Sequence, residues 1–403
     1  MSYINLINST LSYDETTLCL NNHPLDKFTN KYKTPFYLYD LNIFEENYER
    51  FIRSTRDKIK NVSICYAVKS NDHKNFLEKA HTLGSGADVV SIGELEKCLK
   101  AKIPPEKIVF SGVGKTDDEI EAAIYKCNGK LKSINVESID ELNSIISISE
   151  KLKKETNVCL RLNPNSPGDT HKHISTGGAH HKFGLQEGEI HEGIKLIEAS
   201  NNVNCLGLSM HIGSQLTSLS ETLYALTLIK KLNLEYPTFK LINVGGGLGI
   251  HYDPCSKKLC SVDEYVSSIS KFFDENNLMD KEIIFEPGRF LSGNTGVLIT
   301  KVIREKRFFR IVDAGMNDLL RPALYGAHHE ILPISKPSSS SNKEVLTIAG
   351  PICETGDFFI DRKRCFPLKK GDFVAISNVG AYGKVLASTY NSRPLIDEYF
   401  IES

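Results

Sequence analysis

The chain has 403 residues, with 49 Lys+Arg against 50 Asp+Glu, so its formal net charge at pH 7 is -1. Hydrophobic residues make up 40% and charged residues 25%, which is near the globular average and excludes a collagen-like or disordered chain. The balanced charge also argues against a nucleic-acid partner, because nucleic-acid-binding proteins usually carry a basic excess. The length predicts two domains rather than one core.

The cysteines and the N-terminal segment indicate the cellular compartment in which the protein works. The 10 cysteines are scattered and form no C-x-x-C pair, so neither a zinc ribbon nor a disulfide framework is expected. We interpret most of them as buried, reduced thiols that pack as small hydrophobes. Met1–Thr10 has no basic segment followed by a long apolar core, and no apolar run reaches membrane-spanning length. We therefore expect a cytoplasmic protein with no membrane partner.

Short strand-like runs come first in the chain, and a helical pattern follows them. Leu18–Leu20 and Phe36–Tyr39 have the composition of strands, and Leu41–Lys58 has the pattern of a helix. Because the two ends of a domain often lie close together, we expect these strands to join a sheet formed by the C-terminal part of the chain.

The middle of the chain alternates β-rich runs with helical patterns. The eight predicted strands are Ser63–Lys69, Ala87–Ser91, Ile108–Ser111, Ser133–Val136, Val158–Asn163, Cys205–Gly213, Leu241–Gly245 and Ile283–Glu286. The predicted helices include Asp117–Tyr125, Ile139–Lys153, Glu189–Ala199, Leu219–Leu234 and Val262–Asn276. Thr116, Ser138 and Ser261 are the capping residues expected before three of them. Eight βα repeats over about 250 residues predict a (β/α)8 TIM-like barrel, and an open doubly wound sheet is the alternative.

Helical periodicity weakens after position 295, where turn-separated strand-like runs begin. These runs are Val297–Ile303, Phe308–Val312, Glu344–Ile348 and Asp372–Ile376. The serine-rich stretch Lys336–Lys343 predicts an exposed loop between them. The predicted fold class is therefore α/β, a TIM-like barrel plus a C-terminal all-β, sandwich- or barrel-like domain that also takes the N-terminal strands. We place the barrel at 36–290 and the β domain at 1–35 and 291–403.

Polar residues follow several predicted strands, and in such a barrel the catalytic groups lie at strand ends. Lys69 follows apolar strand residues, and partial desolvation there favours the neutral amine that Schiff-base chemistry needs. A lysine that merely marks a strand end is the plainer alternative. His211 follows the sixth strand, and Glu286–Arg289 combines a carboxylate, a turn and an anion-binding arginine after the eighth. Gly245–Gly247 would let the backbone approach a phosphate, although a tight turn has the same composition.

Together, an amine, an imidazole, a carboxylate and a glycine run match what a pyridoxal phosphate site requires. A Rossmann site would need G-x-G-x-x-G between an early strand and its helix, whereas this glycine run comes late and lacks the spacing. No metal site is predicted. His180 and His181 are adjacent and cannot both ligate from one helix face, and no carboxylate cluster stands near them.

Several ordered motifs resemble the fold-type III pyridoxal-phosphate decarboxylases. They are Tyr66–Asn71 (YAVKSN), His211–Gln215 (HIGSQ), Gly245–Gly249 (GGGLG) and Glu286–Arg289 (EPGR). Further segments are similar to the diaminopimelate decarboxylase group of that family, namely Thr170–Gly177, Lys182–Gly184, Arg321–Tyr325, Cys353–Asp357 and Gly380–Gly383. The resemblance runs from Thr34 to Tyr390. It implies an α/β barrel with a β domain, built as a homodimer whose active sites lie at the interface.

The resemblance also implies roles for residues toward pyridoxal 5'-phosphate. Lys69 would bond covalently to this cofactor, and Asp88 would support either Lys69 or the site entrance. Glu286 would pair with the ring nitrogen of the cofactor, and His211 would stack on its ring. The other implied cofactor contacts are Ser214, Gly245, Gly246, Gly247, Pro287, Gly288, Arg289 and Tyr382.

A small-molecule substrate with two amino-acid ends is the implied partner. The implied substrate contacts are Arg289, Arg321, Tyr325, Glu354 and Tyr382. The two arginines with Tyr325 would clamp the distal carboxylate, and Glu354 would pair with the distal ammonium. Cys353 would protonate the carbon that loses CO2, because a thiol can serve as that acid. In the family, this cysteine and the following glutamate come from the neighbouring subunit.

The implied activity is that of a carboxy-lyase converting meso-2,6-diaminopimelate to L-lysine and CO2, the last step of lysine biosynthesis. Relatives acting on ornithine, lysine, arginine or carboxynorspermidine are the near alternative. Substrates without a distal carboxylate would leave the arginine clamp unpaired, which argues against them. A non-catalytic regulatory homologue is the alternative from another class. The presence of Lys69, His211, Glu286 and Cys353 argues against that reading.

Overall fold

The computed structural model describes residues 10–165, 182–253, 259–338 and 342–402, and the chain divides into two compact units. The β unit comprises the described parts of Met1–Asn47, Ile250–Lys258 and Arg289–Ser403, and the barrel unit those of Tyr48–Gly249 and Leu259–Gly288. The predicted domain limits at 36 and 290 stay predictions. In the structure, residues 36–47 and 250–253 group with the β unit. The segment Thr170–Gly177, His180, His181 and Cys255 lie outside the described residues.

The first elements match the predicted strands and helix. Strands β1 (Leu11–Tyr13), β2 (Leu18–Leu20) and β3 (His23–Pro24) form an antiparallel three-stranded sheet. Helix α1 (Asp26–Lys31), strand β4 (Phe36–Tyr39) and helix α2 (Leu41–Thr55) follow. All four side chains of β4 are buried, as expected of a strand with neighbours on both sides and packing on both faces.

Eight parallel strands close into a barrel in the second unit. They are β5 (Val62–Ala67), β6 (Gly86–Val89), β7 (Ile108–Phe110), β8 (Ser133–Val136), β9 (Thr156–Arg161), β10 (Val203–Ser209), β11 (Leu241–Asn243) and β12 (Glu282–Phe285). The last strand pairs with the first, with Ile283 opposite Val62. This closure confirms the predicted barrel and excludes the open doubly wound sheet.

Seven helices connect the barrel strands in the described residues of this unit. They are α3 (Lys74–Thr82), α4 (Ile92–Lys100), α5 (Asp117–Lys126), α6 (Ile139–Leu152), α7 (Glu187–Glu198), α8 (Ser220–Glu235) and α9 (Val262–Glu275). The predicted caps are confirmed, because the side chains of Thr116, Ser138 and Ser261 each accept the backbone N–H three residues further on. Each cap satisfies an N–H that the first helical turn leaves unpaired.

The barrel interior is filled by small and branched apolar side chains. Cys65, Val109, Cys159, Leu241 and Ile284 form one buried cluster. Cys65 and Cys159 are free thiols within it, which confirms that these cysteines pack as small hydrophobes.

The rest of the β unit is a mixed sheet that recruits strands from both ends of the chain. Its elements are α10 (Arg289–Ser292), β13 (Gly296–Lys306), β14 (Phe309–Val312), α11 (Arg321–Tyr325), β15 (Ile331–Pro333), β16 (Glu344–Ala349), β17 (Phe358–Cys365), β18 (Phe373–Ile376) and β19 (Asp397–Phe400). Strand β4 lies between β13, to which it is antiparallel, and β19, to which it is parallel. The expected pairing is thus confirmed for Phe36–Tyr39. Leu18–Leu20 lies in the separate three-stranded sheet, although the Leu18 N–H donates to the Ile334 carbonyl at 2.7 Å.

Within the described ranges, no helix is long and apolar enough to cross a membrane.

Replacing Ser261 tests the capping argument. Ser261 and Glu264 satisfy each other's backbone N–H in a capping box at the start of α9. We expect Ser261→Ala to destabilise the barrel unit by about 1 kcal/mol, and Ser261→Gly by only a few tenths. Paired thermal melts would measure the loss of stability. The hydrogen-exchange rate of the Glu264 amide should also rise in the Ala variant. Equal Tm values for the Ala variant and wild type would contradict it.

Candidate functional site

A cavity of about 330 Å³ in the barrel unit brings together three of the predicted residues. Lys69, His211 and Glu286 all line it, although they lie far apart in the chain. They meet because the carboxyl ends of parallel barrel strands converge at one end of the barrel. The cavity has the size of a small-molecule site. Its other lining residues are Val90, Ser111, Gly112, Val113, Asn135, Arg161, Phe183, Ser209 and Met210.

Lys69 lies on a single 3-10 turn, Val68–Ser70, directly after β5. Its Nζ is 2.8 Å from Asp88 Oδ2, and the two side chains are 34% and 0% exposed. The register of β5 and β6 places Asp88 opposite Ala67, two residues before the lysine. A fully buried carboxylate requires a cationic partner. The Lys69 amine is therefore held beside Asp88, and because its side chain is 34% exposed it is only partly desolvated.

His211 is bonded as a neutral imidazole. Its Nδ1 accepts the Gly246 N–H at 3.2 Å, so the ring proton of the neutral form lies on Nε2. Burial, followed by the positive charges of Lys69 and Arg161, lowers the pKa of His211 well below its ordinary value. The ring is therefore uncharged at neutral pH and presents an aromatic surface to the cavity, which suits stacking.

The glycine run is required by close contact between backbone segments. Gly245 has φ of 69°, and a Cβ on it would lie 2.4 Å from the Met210 carbonyl oxygen. A Cβ on Gly246 would lie 2.2 Å from the carbonyl oxygen of Glu286. Any side chain here would push apart the segments that carry His211 and Glu286. The run therefore sets the distance between two cavity residues.

Glu286 follows β12 and is buried. Its carboxylate accepts a hydrogen bond of 2.6 Å from Asn243 Nδ2. Burial raises the pKa of Glu286, the negative charge of Asp88 raises it further, and Lys69, Asn243 and Arg161 offset only part of this. A cationic N–H presented to Glu286 would lower this pKa and form a strong, charge-assisted hydrogen bond.

Pro287 and Gly288 carry the chain from Glu286 against the lysine turn. The Pro287 carbonyl accepts the Ala67 N–H at 3.3 Å. A Cβ on Gly288 would meet the side chains of Ala67 and Ser70 at 3.1 Å. These predicted residues therefore lie beside Lys69, and Ser214 is half-buried after β10.

The sequence analysis missed Arg161, which lines the cavity. It also missed Glu137 and Asn243, which bond to the cavity residues Arg161 and Glu286. Arg161 ends β9, and its Nη1 is 2.5 Å from Glu137 Oε1. The other carboxylate oxygen of Glu137 accepts the Gly184 N–H at 2.9 Å, which ties Lys182–Gly184 to the barrel. A signal existed, because Arg161 and Glu137 stand at strand ends as Lys69 does.

In the β unit, Arg289 and Arg321 gather around Tyr252. Arg289 Nη1 donates to the Tyr252 hydroxyl at 2.8 Å, and the Arg321 guanidinium lies 4.4 Å from the Tyr252 ring centre. Burial alone would raise the pKa of Tyr252, but the two guanidinium charges outweigh it and lower this pKa. Tyr252 was missed by the sequence analysis, since no motif marks it.

The predicted tyrosines of this unit stand near the same arginines. The Arg289 guanidinium lies 4.7 Å from the Tyr382 ring centre, within the range of a cation–π contact. Tyr325 ends α11, the helix that begins at Arg321, and is half-buried. Both arginines are buried. In the described ranges, no carboxylate lies within ion-pair distance of Arg321, and its buried Nε has no hydrogen-bond partner.

Cys353 and Glu354 lie in an exposed loop of the β unit. The buried carboxylate of Asp357 shapes this loop by accepting the Ile352 N–H at 2.7 Å. Asn391 lies in the segment between β18 and β19, and its Oδ1 accepts the Cys353 N–H at 3.0 Å. The Tyr390 hydroxyl donates to the Glu354 carboxylate. The thiol and the carboxylate are thus presented from an ordered loop.

Comparison with known proteins groups this chain with one kind of enzyme. A family model described as the pyridoxal binding domain of pyridoxal-dependent decarboxylases matches residues 45–293. The chain is similar to diaminopimelate decarboxylase of Aquifex aeolicus, with 36% identity over 411 residues, which cover 100% of this chain and 95% of that one. It is also similar to the Vibrio cholerae enzyme of that name, with 38% identity covering 94% and 90% of the two chains.

Solved structures show the same likeness. The crystal structure of diaminopimelate decarboxylase from Helicobacter pylori complexed with L-lysine has 38% identity and a TM-score of 0.86, and covers 94% of each chain. The diaminopimelate decarboxylase structure from M. jannaschii complexed with L-lysine has 33% identity and a TM-score of 0.89, covering 98% of this chain and 93% of that one.

A single methyl group on the glycine run tests the packing of the cavity. We expect Gly246→Ala to lower the Tm and abolish tight cofactor binding, because the added Cβ would overlap the Glu286 carbonyl oxygen. Gly188→Ala, in α7, is the matched control, since a Cβ there meets nothing within 4 Å. Thermal melts and the absorbance band of bound cofactor are the measurements. Wild-type cofactor content in Gly246→Ala would refute the role of the run.

Proposed function

Since this chain belongs to the pyridoxal-dependent decarboxylases, we propose that it converts meso-2,6-diaminopimelate to L-lysine and CO2, the last step of lysine biosynthesis. The reaction breaks one C–C bond, releases CO2 and adds one proton to the carbon that carried the carboxylate. The observation that carries this substrate assignment is the buried Arg321 cation, for which the described residues supply no carboxylate.

The donor set of the barrel cavity fits pyridoxal phosphate. Bound there, this cofactor supplies an electron sink for the pair that CO2 leaves behind. The Lys69 amine would hold it covalently, with Asp88 balancing the positive charge. Glu286, whose pKa is raised by burial and by the charge of Asp88, would bind its protonated ring nitrogen. The neutral face of His211 would cover the ring.

The anionic end of the cofactor would be held by the remaining predicted contacts. Backbone at Gly247 and at Gly288 has no side chains to block a phosphate, and N–H groups of such segments are its usual donors. The N–H groups of Gly245 and Gly246 already donate to Asn243 Oδ1 and His211 Nδ1, so these two glycines would act by shaping the loop. Ser214 would add a hydroxyl. Arg289 and Tyr382, in cation–π contact with each other, would supply charge and a further hydroxyl.

The substrate assignment follows from charge. Diaminopimelate carries a second carboxylate and a second ammonium at the end that does not react. Arg321, Arg289 and the half-buried Tyr325 would receive the carboxylate. Glu354 would receive the ammonium. Ornithine has no distal carboxylate and would leave Arg321 buried without an anion, which costs affinity.

We further infer that the active site is shared within a homodimer. Cys353 and Glu354 are exposed in one chain, and their loop is held in shape by Asp357, Tyr390 and Asn391. An exposed, ordered thiol and carboxylate suit delivery to a site on a second copy. There the Cys353 thiol would give its proton to the carbon that has lost CO2 and then be reprotonated from solvent. Action in the cytoplasm is proposed from the reduced state of thiols such as Cys65 and Cys98.

Substrate comparison tests the function and the clamp. We expect turnover of meso-diaminopimelate, with kcat/KM for L-ornithine and L-lysine lower by at least about 100-fold. Arg321→Gln should raise KM for diaminopimelate, because it removes the carboxylate partner. Arg304→Gln is the matched control, since Arg304 is an exposed arginine of β13. CO2 release measures both. A wild-type enzyme that prefers ornithine would refute the assignment.

Mixing two inactive variants tests the shared site. Lys69→Ala and Cys353→Ala chains should each lose activity as homodimers. A mixed dimer would keep one site with both residues intact, so random exchange should restore about a quarter of wild-type activity. Mixed dimers are verified by differently tagged chains. No recovery in verified mixed dimers would show that each site is built within one chain.

A further inference from the structure

His329 is a fully buried imidazole in the β unit, with both ring nitrogens bonded. Its Nδ1 lies 2.8 Å from the Ser377 carbonyl oxygen, and its Nε2 lies 2.9 Å from Arg321 Nη1. A carbonyl oxygen only accepts, so Nδ1 carries the ring proton and Nε2 must accept from the guanidinium. Ser377 thereby fixes the tautomer that Arg321 requires.

The histidine is neutral in this arrangement. Burial, followed by the charge of Arg321, lowers the pKa of His329 well below its ordinary value, and the bond to Ser377 does not reverse this. A protonated ring would place a second cation against Arg321 and would lose the acceptor at Nε2.

A neutral acceptor orients a guanidinium without cancelling its charge. Two other buried arginines have carboxylate partners, since Arg161 pairs with Glu137 at 2.5 Å and Arg310 with Glu344 at 3.4 Å. Arg289 instead donates to the Tyr252 hydroxyl. Arg321 has a histidine in that place. Its positive charge therefore remains uncompensated by carboxylates in the described part of the molecule and is available to an anionic ligand.

We propose that His329 is a positioning residue that directs Arg321 toward the distal carboxylate of the substrate while leaving its charge unpaired, and that it thereby sets selectivity for amino acids bearing this carboxylate. The inference rests on the proposed function. Selectivity arises because a carboxylate ligand gains the full attraction of Arg321, whereas a ligand without one leaves that cation buried alone.

Three substitutions separate orientation from charge. His329→Gln keeps a neutral acceptor for Arg321 and a donor for Ser377. His329→Leu removes the acceptor without adding charge. His329→Glu supplies a carboxylate that would pair with Arg321 and claim its charge.

The expected effect is on binding rather than on the chemical step. With meso-diaminopimelate, KM should rise by about 10-fold or more in His329→Leu and further in His329→Glu, while kcat stays within about 3-fold. His329→Gln should stay within about 3-fold of wild type in both constants. Loss of kcat with unchanged KM in the Leu and Glu variants would overturn the proposal.

Equilibrium binding gives a second readout that does not depend on turnover. Calorimetry on the holoenzyme would compare L-lysine, which keeps the distal carboxylate, with 1,5-diaminopentane, which lacks it. We expect His329→Glu to weaken the binding of L-lysine by about 10-fold or more and to leave the affinity for 1,5-diaminopentane unchanged. An equal loss of affinity for both ligands would indicate that His329 is merely structural and would refute the inference.

The two proposals fail in different ways. If wild-type enzyme does not decarboxylate diaminopimelate, the proposed function is wrong, whereas the comparison of L-lysine with 1,5-diaminopentane still tests His329. If wild type is active and the variants bind both ligands as it does, only the role of His329 is wrong. Should His329→Glu fail to fold, the Leu and Gln variants make the same comparison.

Discussion

Hydrogen bonding between the last and first barrel strands is the constraint on which the catalytic cavity depends. The pairing of β12 with β5 closes eight parallel strands into a ring, and every strand end then faces the same opening. Lys69 and Glu286 follow these two closing strands directly. Without the closure they would stand at opposite edges of an open sheet. The contact of Ala67 with Pro287 and Gly288 is made across the same seam.

Each unit places charge where its surroundings do not fully compensate it. In the barrel, Asp88 and Glu286 are both buried carboxylates. Burial and the negative charge of Asp88 raise the pKa of Glu286, and the cations Lys69 and Arg161 offset only part of this rise. In the β unit, Arg321 is a buried cation held by a neutral histidine and an aromatic ring. Both arrangements cost stability, and a ligand that carries the complementary charge offsets that cost. The near-zero net charge of the chain therefore conceals strong local imbalances.

Much of the fold could be predicted because its signals are local. Alternation of apolar residues located the eight strands, and capping residues such as Ser138 marked helix starts to within a residue or two. Lys69, His211 and Glu286 could be singled out because each follows a strand. Tyr252 and His329 could not, since a neutral side chain becomes significant only through the arginine that packs against it. The grouping of residues 250–253 with the β unit depends on contacts that no periodicity encodes.

The position of β4 has a consequence for how the protein is made. This strand, Phe36–Tyr39, is hydrogen-bonded to β19, Asp397–Phe400, so its partner leaves the ribosome only after the whole barrel between them has been made. At about 5–20 residues per second, synthesis of the intervening chain takes roughly 20–70 s. During that interval the edge of β4 that pairs with β19 has no partner. The barrel strands, which are all encoded between the two, have time to pair first. Nascent chains stalled before Asp397 would therefore expose an unpaired strand edge of the kind that chaperones bind.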